Sequence, residues 1–332
     1  MPVMDAVRFY GPKDLRIEKV DIPGVGPDEV LVKVAYAGIC GSDLHIYKKG
    51  MFITDLPQTL GHEFSGVVEK VGSQVKDFAP GDRVVADPRV FCGHCALCLA
   101  GRNGLCNQLG FIGEVQPGSF ATYLQLKAAK LLSVPGEIDL QEAALAEPLA
   151  VGLQIAKISG FATGKTIGVI GAGTIGVLTA LIAQKIYRAE EIFLIDLSAD
   201  RLKLALKNGV TKTGEDYSLC GQVDIVVEAA GSGAAFVDAL DWVRPAGKIV
   251  LAGIYEDDFQ FNPNLIVSKE INLTGIHGCH YQDIADALYL LQSNQLDLSR
   301  MHSVISMKEA GEAFEQLTNE KKVLKVLLSP DR

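Results

Sequence analysis

Four cysteines form the set Cys92-x2-Cys95-x2-Cys98-x7-Cys106. Four thiolates this close together suit a tetrahedral zinc that is structural and closed to substrate. The surrounding segment, 91–119, is rich in Cys, Gly and Asn and poor in apolar periodicity, so it needs something to fold around. An iron–sulfur cluster is a second reading, because C-x2-C-x2-C occurs in ferredoxins. The three-residue gap and the Cys-Pro that continue that run are absent here. A nucleic-acid zinc ribbon is a third. Arg89 and Arg102 do not make a basic run, which argues against it. His94 is expected to face solvent.

A looser set is spread along the chain. Cys40 stands in Gly38-Ile39-Cys40-Gly41-Ser42-Asp43-Leu44-His45, His62-Glu63 in Gly61-His62-Glu63-Phe64, and Glu147 in Ala146-Glu147-Pro148-Leu149. Each has a plain alternative. Cysteine is often a small buried hydrophobe. Adjacent strand residues point to opposite faces, so His62 and Glu63 share one metal only if the chain bends there. Glu147 has the plain reading of a helix acid. Together, a thiolate, an imidazole and a carboxylate give Zn2+ three ligands and leave a fourth position open. Such a zinc polarises an alcohol oxygen and favours loss of its proton. The carbinol carbon can then give up a hydride.

A hydride needs an acceptor, and a separate motif supplies one. The apolar run Thr166–Ile170 leads into Gly171-Ala172-Gly173-Thr174-Ile175-Gly176 and then an apolar helix. This is G-x-G-x-x-G between strand and helix, the setting that makes it a dinucleotide fingerprint. The glycines allow the tight turn, the close approach of pyrophosphate and the packing of helix on strand. Free N–H groups at the helix start receive the phosphates. A second strand, Ile192–Ile195, ends at Asp196. A carboxylate there takes the adenosine ribose hydroxyls and repels a 2′-phosphate, so NAD is expected rather than NADP. Arg201 can lie over the adenine or reach a phosphate. The plain alternative for Asp196 is an acid before a helix, next to Ser198 and Asp200.

The elements that position these groups are legible. Residues 1–35 alternate in the β manner, and Glu29–Ala35 reads as a strand. Short strands follow within 61–72, at Val84–Ala86 and across 120–130. From about 140 the texture changes. A helical stretch, 140–159, leads into strands at 166–170, 192–195, 224–228, 248–252 and 271–275. Helices to about 187, at 199–208 and at 233–243 alternate with them. That rhythm predicts a parallel sheet. The tail, 281–332, holds two helical stretches and a strand-like VLKVLL run.

Composition sets the outer bounds. The chain has 332 residues, 48% hydrophobic and 21% charged, with a net charge of −9. That is globular, large enough for about two domains, and of the wrong sign for a general binder of nucleic acid or anionic membranes. Seven clustered cysteines do not make a secreted disulfide framework. The N-terminus has charges from Asp5 onward and no apolar signal core, so the cytoplasm is the expected location. Nineteen uncharged residues lie between Lys165 and Lys185. Gly171, Gly173 and Gly176 among them fit a strand, a turn and a helix better than a membrane span.

On GICGSDLH, LGHEFSGVV, PGDRV, the four-cysteine lobe, AEPLAV, GAGTIG and Asp196, the sequence resembles the zinc-dependent medium-chain dehydrogenase/reductase superfamily over essentially its whole length. Within it the chain looks most like the polyol branch, which includes sorbitol, L-threonine, galactitol-phosphate and sugar-acid dehydrogenases. The resemblance implies an α/β fold: a GroES-like β-rich catalytic domain with both zinc sites (1–150), a Rossmann NAD-binding domain with a doubly wound parallel sheet (151–275), and a C-terminal segment returning to the first domain (276–332).

It also implies roles. Cys40, His62 and Glu63 would hold the catalytic zinc, and Glu147 would bind the metal or its water. Ser42 would relay the alcohol proton, and His45 would pass it through the ribose hydroxyls to solvent. Cys92, Cys95, Cys98 and Cys106 would hold the structural zinc. Gly171, Gly173, Thr174, Ile175, Gly176, Asp196, Arg201 and the Ala252-Gly253-Ile254 turn would line the NAD site. Kinship implies a homodimer or homotetramer, with a small polyol or sugar-type molecule as the other partner.

The reading is a secondary alcohol oxidised to a ketone by NAD+. An L-threonine or amino-alcohol dehydrogenase is the alternative within the class. A non-catalytic NAD-binding redox sensor is the alternative outside it. Some features depart from the relatives. The stretch from Asn208 to Asp224 is short, so one helix flanking the sheet is expected to be reduced. Ile276–His280 falls where sorbitol dehydrogenases carry an arginine–tyrosine pair, which puts sorbitol itself in doubt. Met51, Phe52, Phe111 and His277 are candidates to touch substrate. Lys48, Lys49 and Arg89 are candidate anchors for a phosphate. Cys220 and Cys279 are left as ordinary thiols.

Overall fold

The computed structural model describes residues 2–53, 55–218, 220–319 and 323–332. The first 150 residues are mainly β. A seven-stranded sheet runs in the order Leu131–Ser133, Arg83–Ala86, Glu63–Val71, Glu29–Gly38, Lys325–Ser329, His302–Ser306, with Tyr123–Lys127 also paired to Glu29–Gly38. Val3–Gly11 pairs with Asp14–Asp21 and Gln58–Thr59 in a smaller sheet. Alternate residues of Glu29–Gly38, including Val30, Val32 and Val34, enter one apolar core with Phe9, Phe64, Phe120 and Phe314.

The strand Lys325–Ser329 joins this sheet. Leu327 and Leu328 pair antiparallel with Gly38 and Ala37. This places the VLKVLL strand against the strand that leads to Cys40. The strand His302–Ser306, which alternation in the sequence did not reveal, pairs parallel with it.

The second unit is a six-stranded parallel sheet. Its order is Thr213–Gly214, Glu191–Ile195, Thr166–Ile170, Val223–Glu228, Val243–Leu251, Asn272–Gly275. The order reverses beside Thr166–Ile170, which puts a ligand crevice at the carboxyl ends of the strands there. Parallel strands are covered on both faces and so read as apolar runs. Val169, Ile192 and Val227 join one core, and Ile170, Ile195 and Val226 join the other.

The uncharged stretch after Lys165 is the strand Thr166–Ile170, the helix Thr174–Leu181 and a wide turn at Ile182–Ile186. No helix among the described residues is long and apolar enough to cross a membrane. Between Gly214 and Val223 the described residues form no helix. The helix Ala146–Ser159 runs across the 150/151 boundary and packs against helix Tyr281–Gln292, so one continuous helix links the units.

Candidate active site

Two backbone features bring the catalytic set together. Cys40 directly precedes helix Gly41–Lys49, and its N–H donates to Asp43 Oδ2 at 2.8 Å. His62 lies just outside strand Glu63–Val71, after Gly61 at φ +93°. A Cβ at Gly61 would stand 2.5 Å from the Phe120 ring, so both conformation and space demand glycine. This bend frees His62 and Glu63 from strict alternation. One ligand atom from each of Cys40, His62 and Glu63 lies within 4.8 Å of the others. The donor set, thiol, imidazole and carboxylate, fits zinc.

The cluster is buried and electrostatically tense. Burial alone would lower the His62 pKa. The Cys40 thiolate, then Asp43 and Glu147, outweigh burial and hold it well above the ordinary histidine value. Glu147 lies in the first turn of helix Ala146–Ser159, outside the three-atom set. Burial pushes its carboxyl up to about 7, against the pull of His62. The Cys279 thiol donates to Glu147 Oε1 at 3.8 Å. Cys279 is therefore a buried neighbour of the site and not a surface thiol.

Lys325 is the residue that sequence reasoning missed. Its Nζ donates to both Glu63 carboxylate oxygens, at 2.6 and 2.7 Å, and to the Ile39 carbonyl at 2.9 Å. The two side chains are 2% and 1% exposed. The available signal was a lysine inside the apolar run Val-Leu-Lys-Val-Leu-Leu, where a charge demands a buried partner.

A cleft of about 570 Å³ runs from this cluster to the glycine turn. Cys40, His45, Glu63 and Lys325 line one end, and Gly171, Gly173, Thr174, Ile175, Asp196 and Arg201 line the other. Gly171 has φ +104°, and a Cβ on Gly176 would lie 1.8 Å from the Gly171 carbonyl oxygen. Gly176 thus stands behind the wall and lets the helix close on the turn. Thr174 Oγ1 donates to the Leu324 carbonyl at 2.6 Å, which ties the fingerprint helix to the returning tail.

Asp196 Oδ2 accepts from Ala172 N at 2.7 Å, and its Oδ1 accepts from Ser198 N at 2.8 Å. Arg201 Nη1 lies 3.6 Å from Oδ2. A carboxylate oxygen has a second lone pair, so Asp196 keeps capacity for ribose hydroxyls. The Ala252-Gly253-Ile254 turn does not line the cleft. It packs behind it, with Gly253 against Gly231 and Glu228.

Ser42 Oγ is buried without a hydrogen-bond partner. His45 lines the cleft, with Nδ1 2.5 Å from Glu256 Oε1. The centre of the Phe111 ring stands 6.0 Å from that of His62 and 5.3 Å from that of His277, which brings two of the candidate substrate residues together. The cationic anchors need correction. Arg89 is bound at both ends to buried Asp87, and Lys48 and Lys49 pair with Glu256 and Asp257. Each of the three already has a carboxylate partner.

The cysteine lobe is assembled as one cluster. Its sulfur separations include 3.5 Å for Cys92–Cys106 and 4.0 Å for Cys92–Cys98 and Cys95–Cys106. A tetrahedron of Zn–S bonds has an edge of about 3.8 Å. The space at its centre suits a single ion and is too small for an iron–sulfur cluster. N–H groups of Cys95, Cys98 and Gln108 donate to sulfurs. The Cys98 and Asn107 N–H groups and neighbouring thiols hold Cys95 down to about 6. His94 is exposed, as expected.

This fold and site define a class, and comparisons with known proteins agree. The family described as alcohol dehydrogenase GroES-like domain matches residues 26–136, and that described as zinc-binding dehydrogenase matches residues 174–293. A sorbitol dehydrogenase of Bacillus subtilis is 33% identical over 99% of this chain and 98% of its own. An L-threonine 3-dehydrogenase of Deinococcus deserti is 36% identical over 78% of this chain and 79% of its own. A solved zinc-binding dehydrogenase from Sinorhizobium meliloti, bound to NADP, superposes with a TM-score of 0.91 at 33% identity, covering 99% of this chain and 100% of that one. The chain belongs to the zinc-dependent medium-chain dehydrogenase family. It is an oxidoreductase acting on CH–OH groups, built from a GroES-like unit and a Rossmann-type unit.

Proposed function

We propose that this chain oxidises a secondary alcohol of a polyol, sugar alcohol or sugar acid to a ketone, with NAD+ as hydride acceptor. The observation that carries the reading is the convergence of Cys40, His62 and Glu63 at one end of a cleft whose other end is the glycine turn. Zinc at this set, when bound, supplies the Lewis acidity that eases loss of the alcohol proton. Cys40 and His62 hold it with Glu63 or Glu147, and the four-cysteine lobe holds a second, structural zinc.

Ser42, a buried hydroxyl without a partner, accepts a hydrogen bond from the substrate hydroxyl and donates onward. His45 carries the proton out through the cleft. Asp196 selects NAD by accepting ribose hydroxyls and repelling a 2′-phosphate. Arg201, which lines the cleft, completes the cofactor region, and the Ala252-Gly253-Ile254 turn supports it from behind.

A neutral polyol suits the cleft best. Among the described residues, each lysine and arginine that lines it has a carboxylate partner: Lys48 with Glu256, Arg201 with Asp196, and Lys325 with Glu63. A substrate phosphate or carboxylate would have to displace one of them. Residues 1–150 and 276–332 form the catalytic unit in this reading, residues 151–275 bind NAD, and the protein works in the cytoplasm as a dimer or tetramer.

The test pairs metal analysis with NADH production across polyols, sugar acids and L-threonine. About two zinc ions per chain and NAD-linked turnover lost on chelation are expected. About one tightly held zinc and no turnover would move the redox-sensor reading to the front. Asp196→Ala is expected to lower kcat/KM for NAD about tenfold or more, the value of a charged hydrogen bond, and to raise it for NADP. An unchanged NAD/NADP ratio would remove Asp196 from cofactor selection.

A further inference from the structure

One carboxylate of the NAD-binding unit reaches across the cleft to the helix that carries Cys40. Glu256 Oε1 meets His45 Nδ1 at 2.5 Å and also accepts from Lys48 Nζ. Lys49 Nζ lies 3.9 Å from Glu256 Oε2 and 3.5 Å from Asp257. These partners are about 210 residues apart in the chain, so the contact exists only because the two units face each other. Its base is fixed. The neighbouring Tyr255 hydroxyl donates to buried Glu228 Oε2 at 2.7 Å, and the Tyr255 ring stacks on Phe259. Glu228 is itself held by the N–H groups of Ala230 and Gly231.

We propose that Glu256 is a positioning residue for His45 in proton release. This rests on the reading of His45 as the relay. The Glu256 carboxylate accepts from Nδ1–H and so fixes the tautomer whose Nε2 carries the free lone pair. Nε2 takes the proton arriving from the substrate side. The imidazolium that forms is neutralised by the adjacent carboxylate, and a water or buffer base then removes the Nε2 proton and restores the neutral ring. An imidazole without such a partner would be free to rotate or to switch tautomer.

The charged groups around His45 set the sign of the effect. Burial lowers its pKa most, the Glu256 hydrogen bond and charge raise it, and Lys48 lowers it. Of the other charges nearby, Lys325 is paired with Glu63 and Lys49 with Asp257, and Glu315 lies by Tyr47. Loss of Glu256 therefore removes the raising influence and leaves Lys48 unopposed. His45 then stays neutral to lower pH, and the acid limb of the oxidation profile moves down.

The experiment is steady-state oxidation by the zinc-loaded full chain from about pH 5.5 to 10, for wild type, His45→Asn, Glu256→Gln and Glu256→Asp. His45→Asn is expected to abolish the acid limb and lower kcat about 100-fold. Glu256→Gln is expected to move the limb down by about one pH unit and lower kcat about tenfold, with KM nearly unchanged. Glu256→Asp restores the limb toward its wild-type position. If Glu256→Gln alters KM alone, or nothing, while His45→Asn still removes the limb, Glu256 merely ties the units together and the proposal fails. If His45→Asn leaves the profile unchanged, the relay reading itself fails, and this proposal with it.

Discussion

Cys40→Ser is expected to lower turnover by about 1,000-fold or more, the rate equivalent of several kcal/mol of lost Lewis-acid stabilisation. Zinc content is expected to fall from about two ions per chain to about one. The remaining ion belongs to the lobe, whose four sulfurs are assembled without any residue of the first set. The substitution exchanges sulfur for oxygen at a half-buried residue before a helix, and the Cys40 N–H keeps its bond to Asp43. Folding is therefore expected to survive, with a near-wild-type circular dichroism spectrum. Retention of both zinc ions together with normal turnover would overturn the assignment of Cys40 as a ligand. Loss of both ions would mean that the two sites are not independent.

Lys325→Met is expected to cost about 3–5 kcal/mol of stability in the metal-free protein, because it strands the buried Glu63 carboxylate. Met is one heavy atom shorter than Lys and keeps an unbranched apolar stem, so the loss is chiefly of charge rather than of packing. Both Glu63 oxygens now accept from Lys325 Nζ, and neither side chain has appreciable access to water. The thermal midpoint of chelator-treated protein is expected to fall by about 5–10 °C. The same measurement on zinc-loaded protein distinguishes the two candidate carboxylates. If Glu63 ligates the metal, bound zinc replaces part of the missing cation and the fall is smaller. If Glu147 is the ligand, the fall is the same with and without metal. A midpoint unmoved in both states would show that the Lys325–Glu63 pair does not hold the tail strand in place.

The sequence determined what is written in neighbouring residues. The thiols of the lobe lie within fifteen positions, so their common purpose is readable from spacing alone. The glycine turn is a local conformation between a strand and a helix, and Asp196 closes the next strand. Apolar runs separated by amphipathic stretches gave the parallel sheet, because burial on both faces leaves a compositional mark. Donor chemistry groups Cys40, His62, Glu63 and Glu147 as a possible zinc set, but nothing in alternation predicts that His62 escapes the strand at Gly61, and their separate roles come from the family pattern.

Tertiary structure alone decided the electrostatic frame. Lys325 lies 262 residues from Glu63, and Glu256 lies 211 from His45, so their pairing has no local signature. The same distance hides the partners of Lys48 and Lys49, whereas Asp87 is two residues from Arg89 and what the sequence does not show there is the burial of the pair. Arg89 looked available for a phosphate, yet the fold buries it against Asp87, and Lys48 and Lys49 meet carboxylates from the other unit. A charge in a sequence shows only that a partner or water is required. Which partner it finds depends on how the chain packs, because burial raises the cost of leaving the charge unpaired.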